Sequence, residues 1–545
     1  MTLDVVCWAP EAFFSLNLLV FLWYGTGAVV SPVTERVSLC VSSLRESKNR
    51  EKNLSLKERE RLSFEHREKE RYSLQMYRRP LSLNLPSGGP SHAAGHMSLW
   101  AVTLSLLRAL LIWNCPLQTL QAGGVFVRDV FSQNLGLFLW IVASLALWVT
   151  IGWQKKRGII HTEYVFLALL SLFGQHLLLM STDLMALYLC LELQSFSLVV
   201  LCALNYTNPY AIEAGMKYFL LSAFRSCLLL LGIGLIYWQT GHTRLSHLRE
   251  LLSVTSFVYR ERGERPSLTL WLGLWLVGLG LLWKLAAAPL HLWAADVYMG
   301  AWSSVTLWIS TLPKIAVLGF WTHTWHPIWT TAFGSAAAIF SGLSLLVGAF
   351  APLAQTHLKR LLAFSSIGHM GLMLMCLSGG NEGFRALWAH MGIYIVTSLA
   401  VWSLYMWPFG RPKSQSPGPQ YLWDLAGLNH SSPVRATAWA GAMVSLRGLP
   451  PLAGFLGKLG LFWWRLNTSQ YVLLSLALLS TVVSTVYYLR VLKISYVDRP
   501  QSWSSYGPLH SSNAYMISRA WVFLCLLLWH GTPILLRGHL LALRT

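Results

Sequence analysis

The chain is 545 residues long, 54% hydrophobic and only 12% charged. Soluble domains carry roughly 25% charged residues, so this composition excludes an ordinary soluble protein and indicates an integral membrane protein. The net charge of +20 would suggest nucleic-acid binding in a soluble chain, but here the cations lie mostly between apolar runs, where they set topology. The eight cysteines include no C-x-x-C pair, so neither a thiolate zinc site nor an iron–sulfur site is indicated.

Long apolar runs recur along most of the chain and predict about fourteen membrane-spanning α-helices. A helix needs ~20 residues to cross a bilayer, and the runs approach or exceed that length. The predicted spans lie near 10–31, 97–121, 131–152, 163–181, 184–205, 211–238, 268–292, 303–322, 330–353, 360–378, 384–407, 436–464, 470–489 and 519–537. The predicted fold class is therefore an all-α integral membrane protein.

Two of these spans carry a lysine beside a helix-breaking proline. The seventh reads GLLWKLAAAPLHLWAADVY, with Lys284 ahead of Pro289, and the twelfth reads SLRGLPPLAGFLGKLGLFWW, with Lys458 after Pro450. Helices 4–8 and 9–13 are five apiece, and an odd number of spans gives the two units opposite orientations. Inverted repeats with broken helices are typical of ion transporters, because freed backbone carbonyls are tolerated at depth only against protein or water.

This pattern divides the chain into six parts. Residues 1–40 carry the first span, 41–96 a charged insertion, 97–160 spans two and three, 161–325 the first repeat, 326–495 the second repeat and 496–545 the last span. The insertion is rich in Lys, Arg and Glu, so it is expected to be disordered or peripheral. Contact of the insertion with anionic lipid or with a neighbouring subunit is the alternative.

Basic clusters between the spans predict the orientation of the chain. They follow spans 1, 3, 9, 11 and 13, at residues 45–79, 155–157, 359–360, 411–413 and 490–493. The positive-inside rule assigns that face to the cytoplasm or the mitochondrial matrix and places both termini on the other side. The loop after span 6 conflicts with this assignment, because it also carries several arginines.

Among the acidic residues beyond position 96, only Glu192 lies deep inside a predicted span, in the run LMALYLCLELQSFSLVVLCALN. An ionised side chain there costs at least ~2.5–3.5 kcal/mol, so it needs a partner or water. Four lysines in other apolar runs are candidate partners: Lys217, Lys284, Lys314 and Lys458. A static ion pair joining two helices is one interpretation. The other is a buried proton relay, in which movement of a lysine loads or releases a proton on Glu192.

Lys284 is the predicted partner of Glu192, because a helix segment can shift at the break that follows it. Lys314 in STLPKIAVLGF lies in an otherwise apolar helix, and Lys458 lies past the second break. A buried lysine changes its charge state readily, which suits a relay. Lys217 is nearer a helix end, where a lysine can instead snorkel to the membrane surface.

Histidines and arginines in the spans extend this set. His291 and His369 are possible relay members, although a lone membrane histidine is also often a packing residue. Arg225 and Arg447 lie inside apolar runs. Because arginine does not deprotonate in proteins, they are interpreted as electrostatic tuners or as neighbours of a glutamate. No metal-ligand spacing links these residues, so no metal or cofactor is expected in this chain.

Five stretches of the chain match one known family in combination. They are LYLCLELQSFSLVVL, EAGMKYFLLSAFRS, WKLAAAPLHLWAADVYMG, LLAFSSIGHMGLMLM and RGLPPLAGFLGKLGLFW. Over residues 160–495 the chain resembles the subunit 2 family of NADH dehydrogenases, the antiporter-like membrane subunits of respiratory complex I. It looks more like the mitochondrial than the plastid branch. It departs from the family at Arg225, where a small residue is usual, and in the loop at 295–304.

The resemblance implies a fourteen-helix antiporter-like fold with two inverted five-helix repeats. It implies that Glu192 forms the gating pair with Lys284 or Lys217, that Lys314 is the central relay, and that Lys458 is the exit-side lysine. NADH oxidation, flavin, iron–sulfur clusters and quinone reduction would then belong to other subunits. The implied partners are the other membrane-arm subunits and lipid, without nucleic acid. The implied location is the mitochondrial inner membrane, with the basic loops on the matrix side.

Two other functions remain open at this point. A stand-alone antiporter exchanging a cation for a proton would want several oxygen ligands near the breaks, and only Asp296 is close. A structural membrane anchor whose charges no longer translocate is the third possibility. Each proton moved against the membrane potential costs ~2.3 kcal/mol per 100 mV, and the sequence shows no driver of its own. Co-purification with an NADH-oxidising assembly would favour the subunit over the antiporter.

Overall fold

The structure, a computed structural model, describes residues 11–12, 14–20, 90–113, 119–121, 124–157, 162–206, 208–262, 268–333, 336–378, 380–406, 409–410, 420–450, 452–498, 505–506 and 511–529. Several sequence predictions fall wholly or partly outside these ranges. They concern most of the charged insertion with its basic cluster, the second half of the first span, the basic cluster at 411–413 and the end of the last span.

The described residues are mostly helical, and residues 11–12 and 14–20 form the first helical stretch. The elements that follow are α1 (Pro90–Trp113), β1 (Thr119–Gln121), β2 (Phe126–Arg128), α2 (Val130–Arg157), α3 (Thr162–Met180), α4 (Leu184–Ala203), α5 (Pro209–Thr240), α6 (Leu245–Arg262), α7 (Leu268–Lys284), α8 (Leu292–Gly300), α9 (Ser303–Phe320), a π-helical turn (Trp321–Trp325), α10 (His326–Phe333), α11 (Ala336–Phe350), a 3₁₀ turn (Ala351–Ala354), α12 (Leu358–Cys376), α13 (Gly380–Tyr405), β3 (Phe409–Gly410), a 3₁₀ turn (Leu422–Leu425), α14 (Leu428–Ser431), α15 (Pro433–Arg447), α16 (Gly454–Asn467), α17 (Tyr471–Tyr496), β4 (Ser505–Tyr506) and α18 (Ser511–Trp529). β1 pairs with β2 and β3 with β4, both antiparallel.

By length and composition, eight helices of the described residues can cross a membrane. They are α2, α3, α4, α5, α9 continued through α10, α11 with its 3₁₀ turn, α13 and α17. Two shorter apolar helices, Trp100–Leu111 and α7, join them. The all-helical membrane fold predicted from the sequence is confirmed, whereas the count of fourteen spans stays a prediction.

Two predicted boundaries and one predicted loop were wrong. The second span was expected to run to 121, but α1 ends at Trp113 and residues 119–121 form a strand. The eighth span continues through the π-helical turn to Phe333, so residues 330–333 do not begin the ninth. The segment after span 6, expected to be a loop, contains the helix α6, which buries Leu245, Leu248 and Leu252.

Both predicted breaks are present. The chain leaves the helix between α7 and α8 and again between α15 and α16. At the first break the indole nitrogen of Trp293 donates to the carbonyl of Trp283, at 3.0 Å. The backbone N–H of Ala288, also in the break, donates to Ser344 Oγ of α11 at 2.9 Å. These bonds supply partners that the missing helical turns cannot, as a buried backbone requires.

α9 is the central helix of the bundle. Every residue from Ser303 to Phe320 is buried, so α9 has no face toward lipid. The indole of Trp308 donates to Ser171 Oγ of α3 at 2.8 Å, which fixes α9 against α3. A charged residue on α9 therefore lies inside the protein, whichever way its side chain points.

Close helix contacts place α12 deep in the bundle. Gly348 of α11 and Gly368 of α12 face each other so closely that a Cβ on Gly348 would collide with the backbone of Gly368. Glycine at such a contact lets two helix backbones approach. The neighbouring residue on α12, His369, is carried into the interior, where it is 6% exposed.

Loop contacts define two faces of the bundle. On one face, the backbone N–H of Thr182 donates to Val125 O, and Asp183 pairs with Arg244 through the backbone. On the other, the N–H of Leu358 donates to Gln420 O at 3.0 Å, and Arg490 Nη1 donates to Leu353 O at 3.1 Å. β3 pairs with β4 near this second face. The basic residues 359–360 and 490 thus lie on the same face as each other.

A buried charge cluster holds the N-terminal helical stretch to the bundle. Glu11 Oε1 accepts hydrogen bonds from Arg128 Nη2 at 2.8 Å and from Arg108 Nη2 at 3.2 Å. His176 Nε2 lies 3.9 Å from the same oxygen. The guanidinium of Arg108 also stacks over the rings of Phe14 and two further aromatic residues. All four charged or titratable residues are at most 2% exposed.

Candidate functional site

Glu192 lies on α4 and forms an ion pair with an arginine. Arg225 Nη2 of α5 lies 2.7 Å from Glu192 Oε1, and Ser195 Oγ donates to Glu192 Oε2 at 3.3 Å. Arg225 is buried, and its guanidinium packs over the ring of Trp283, 5.8 Å from the centroid. The ion-pair partner of Glu192 is therefore Arg225, whereas the sequence predicted Lys284.

Lys284 is the last residue of α7, immediately before the first break, and is 3% exposed. Its Nζ donates to the hydroxyl of Tyr218 on α5 at 3.0 Å. Lys284 also interacts electrostatically with Arg225 and with Glu192. Tyr218 stacks against Trp293, with ring centroids 5.1 Å apart, so the first break packs directly on the helix that carries the tyrosine.

Lys314 lies at the centre of the bundle on α9 and is also 3% exposed. Its Nζ donates to the hydroxyl of Tyr394 on α13 at 3.0 Å and lies 5.0 Å from the centroid of that ring. Lys284 and Lys314 thus have the same kind of neighbour, a buried tyrosine hydroxyl. A neutral hydroxyl can both donate and accept a hydrogen bond, so it can connect a lysine to a further polar group.

Two histidines continue the polar line beyond Tyr394. The ring of His369 lies 5.3 Å from the Tyr394 ring, and His369 Nδ1 lies 3.4 Å from His390 Nε2. His369 interacts electrostatically with both Lys314 and Lys458. His390 in turn packs on Gly457, where an added Cβ would lie 2.9 Å from its Nδ1. The histidine pair therefore fills the space between the central lysine and the second break.

Small cavities accompany this line. One of about 20 Å³ is lined by Tyr298, Ser310, Ser366 and Tyr394, among others, and a second of about 20 Å³ by residues including His369, Lys458 and Tyr488. Ser365 lines both. A polar cavity needs roughly 10–15 Å³ to hold a water molecule, so each has room for about one. Ser365 therefore borders both the cavity beside Tyr394 and the cavity beside Lys458.

Lys458 lies on α16 and is 6% exposed. Its Nζ donates to the carbonyl of Arg447, the last residue of α15, at 2.7 Å. The last carbonyls of a helix have no partner within that helix, so the break creates the acceptor that Lys458 binds. Gly448 follows with φ +77°, and a Cβ there would lie 2.7 Å from Lys458 Cδ.

Lys217 and His291 are placed differently from the buried lysines. Lys217 is 43% exposed, with its Nζ 2.8 Å from Glu213 and 2.9 Å from Asp296. Arg360 of α12 bonds the other oxygen of Asp296. Burial raises the pKa of Asp296, but the hydrogen bonds from Lys217 and Arg360 outweigh it and hold that pKa below its ordinary value. His291 packs edge-on against Phe364 and contacts none of the buried lysines among the described residues.

Three residues of this site were missed by the sequence analysis: Tyr218, Tyr394 and His390. Each stands in an apolar run, where tyrosine and histidine are compatible with ordinary packing. His390 was detectable on the same grounds as His369, as a histidine inside a predicted span. The tyrosines carried no such signal, because only the packing of α5 and α13 brings them to a lysine.

Helices broken at two points, with lysines buried at and between the breaks, are typical of ion-transporting membrane proteins. The profile of the family described as NADH:quinone oxidoreductase/Mrp antiporter, TM matches residues 181–484. That stretch contains Glu192 and the four lysines of the sequence prediction. The chain belongs to this family.

Relatives of known name agree with the profile. Subunit N of NADH-quinone oxidoreductase from Rhodospirillum rubrum is 34% identical over 383 residues, covering 70% of this chain and 76% of that protein. NADH-ubiquinone oxidoreductase chain 2 from Marchantia polymorpha is 31% identical over 456 residues, covering 82% and 90%.

Solved structures have the same fold. A chain of respiratory complex I from Thermus thermophilus has a TM-score of 0.65 and 29% identity, covering 81% of this chain and 93% of its own length. A chain of the Mrp complex from Dietzia has a TM-score of 0.65 and 20% identity, covering 83% and 91%. At that identity the second likeness concerns the fold alone.

Proposed function

We propose that this chain is a membrane-arm subunit of NADH:ubiquinone oxidoreductase, respiratory complex I, and that it moves protons through its buried lysines. Relatives at 31–34% identity are subunits of that enzyme. The proposal assigns NADH oxidation, flavin, iron–sulfur clusters and quinone reduction to other subunits. It places the chain in the mitochondrial inner membrane, with the basic face toward the matrix and the other membrane-arm subunits and lipid as neighbours.

The single observation that carries the proton route is the polar line from Lys314 to Lys458. Tyr394 binds Lys314 at 3.0 Å, His369 packs on Tyr394, and a cavity lined by His369 reaches Lys458. Proton transfer needs donors and acceptors within hydrogen-bond reach or separated by one water. Lys314 and Tyr394 are within hydrogen-bond reach, and in the proposal one water in each of the two cavities that share Ser365 makes the remaining connections to His369 and Lys458. In the proposal, Lys314 is the central relay and Lys458 is the exit-side group.

The entrance to the route is the cluster around Lys284. Lys284 sits at the first break, where a shift of α8 changes its distance from Tyr218 without disrupting a continuous helix. Redox energy released elsewhere in the complex would drive that shift. Glu192 sets the charge of the entrance, and Lys217 acts at the surface near it.

Lys314→Met tests the proposal directly. The chain is expressed in place of the native one in its own complex, and the purified complex is reconstituted into liposomes. NADH oxidation and pH-gradient formation are measured together. The variant complex is expected to assemble and oxidise NADH while pumping fewer protons per electron. Lys493→Met is the matched control, because Lys493 is an exposed lysine near the end of α17. Full pumping by Lys314→Met would overturn the route, and absence of the chain from an NADH-oxidising complex would overturn the function.

A further inference from the structure

Arg225 is the charged group that the proton route above does not use. Its guanidinium is 1% exposed and lies between Glu192 and Trp283. Its Nη2 reaches Glu192 Oε1 at 2.7 Å and Ser195 Oγ at 3.4 Å. Because Ser195 also donates to Glu192, the carboxylate is held by two residues at once. Arginine does not lose its proton in proteins, so this positive charge is permanent.

The entrance therefore has more basic than acidic residues. One carboxylate, Glu192, faces two basic residues, Arg225 and Lys284, and its charge is balanced by the arginine in direct contact. Lys284 points to the hydroxyl of Tyr218 at 3.0 Å. An ion pair of this kind is neutral as a unit, and either partner alone is costly to leave buried. Lys284 is therefore the basic group at the entrance that is free to exchange a proton.

From this geometry we infer that Arg225 is a positioning residue: it holds Glu192 in a fixed ion pair, so that the proton exchanged at the entrance is carried by Lys284 and Tyr218 and not by Glu192. The inference rests on the proposed function and deepens it. The step is a proton transfer. A Lys284 N–H bond breaks as a new O–H bond forms on Tyr218, and the original hydroxyl proton passes to a water molecule, which leaves a neutral lysine, an intact tyrosine hydroxyl and a hydronium ion.

The inference separates two roles that a simple glutamate–lysine pair would combine. If Glu192 itself carried the proton, removing its carboxylate would stop pumping in every background. If Glu192 serves only to balance Arg225, removing both charges together leaves the entrance with the same net charge as before. Replacing both partners of a buried pair is far less costly than replacing one.

A double-variant cycle in the native complex tests this. Glu192→Gln and Arg225→Met alone are each expected to lose most proton pumping per electron, because each leaves one buried charge unbalanced. The double variant is expected to recover pumping. Tyr218→Phe is expected to lose pumping whichever background carries it. Arg465→Met is the matched control for the arginine: Arg465 is buried and bonded to Ser378, and it lies on α16, outside the entrance cluster. Tyr237→Phe, at an exposed tyrosine of the same helix, is the control for Tyr218.

The outcomes are decisive in each case. A double variant that assembles but does not pump overturns the inference, and so does unaltered pumping by Tyr218→Phe. If a single variant fails to assemble, the double variant still decides. The charge-swapped variant, Glu192→Arg with Arg225→Glu, is a second neutral pair, and failure of both neutral pairs to assemble also overturns it. Normal proton pumping by Lys314→Met would instead contradict the proposed function, so the two failures are distinguishable.

Discussion

Lys458 donates a 2.7 Å hydrogen bond to the backbone carbonyl of Arg447, across the second helix break. The acceptor exists because α15 ends at Arg447, and the donor reaches it because Gly448 has no side chain. The break therefore creates a binding position for a lysine at depth in the bundle. It is more than an interruption of the helix.

Gly448→Ala is expected to displace Lys458. The glycine has φ +77°, which an alanine adopts at a cost of about 1 kcal/mol, and the new Cβ would meet Lys458 Cδ. Proton pumping by the reconstituted complex should fall while NADH oxidation continues. Gly460→Ala is the control, because a Cβ there meets nothing within 4 Å. Equal pumping by the two variants would contradict the role of Gly448.

Tyr394→Phe is expected to weaken the link between Lys314 and the histidine pair. The substitution removes the hydroxyl bonded to Lys314 but keeps the ring that packs on His369. Loss of one hydrogen bond costs about 1 kcal/mol, so the complex should still assemble. Pumping per electron, measured with a pH-sensitive dye in liposomes, should fall. Tyr471→Phe, at an exposed tyrosine, should pump normally; a matching result for Tyr394→Phe would remove that tyrosine from the route.

Glu11→Gln is expected to destabilise the N-terminal part of the bundle. Glu11 is bonded to both Arg108 and Arg128, and the substitution removes the charge of the carboxylate that both buried arginines contact. Breaking a buried pair in this way costs about 3–5 kcal/mol. The amount of assembled complex on native gels should drop, with unchanged pumping per electron in what remains. Glu382→Gln, at an exposed site, serves as the comparison. Normal assembly of the Glu11 variant would show that the cluster contributes little.

Asp296→Asn is expected to lower the free energy of unfolding by up to about 1 kcal/mol. The effect is small because the ion pairs of Asp296 with Lys217 and Arg360 are partly exposed. The pKa of Asp296 is lowered in the folded chain. Its stabilisation is therefore fully present above the ordinary aspartate value of about 3.9 and is lost as pH falls through the lower folded value. The melting temperatures of the wild type and the variant should differ by a constant amount between about pH 5 and 8. A difference that changes across that range would indicate another titrating group.

The sequence was informative about the buried charges and less informative about their neighbours. Four residues stand out because an ionisable side chain inside a membrane is costly and therefore usually functional: Glu192, Lys284, Lys314 and Lys458. Arg225 stood out equally, and its interpretation as a neighbour of a glutamate agrees with the geometry. Which lysine meets which partner could not be read, because that depends on the rotation and packing of helices far apart in the chain.

The boundaries failed where polar residues did not end a helix. The stretch THTWHP at 322–327 lowers the hydropathy and predicts an end of the eighth span near 322, but the helix continues to Phe333. The π-helical turn at Trp321–Trp325 inserts an extra residue that no simple periodicity detects. The burial of Glu11 was also missed, since its partners come from two other elements of the chain.

The bond between the Ala288 N–H and the Ser344 hydroxyl has a mechanical consequence. It ties the break between α7 and α8 to α11, a helix of the segment predicted as the second repeat. A displacement of this break must therefore either break the hydrogen bond or move α11 with it. Because α11 packs on α12, the helix that carries His369, a movement near Lys284 is linked to the surroundings of His369.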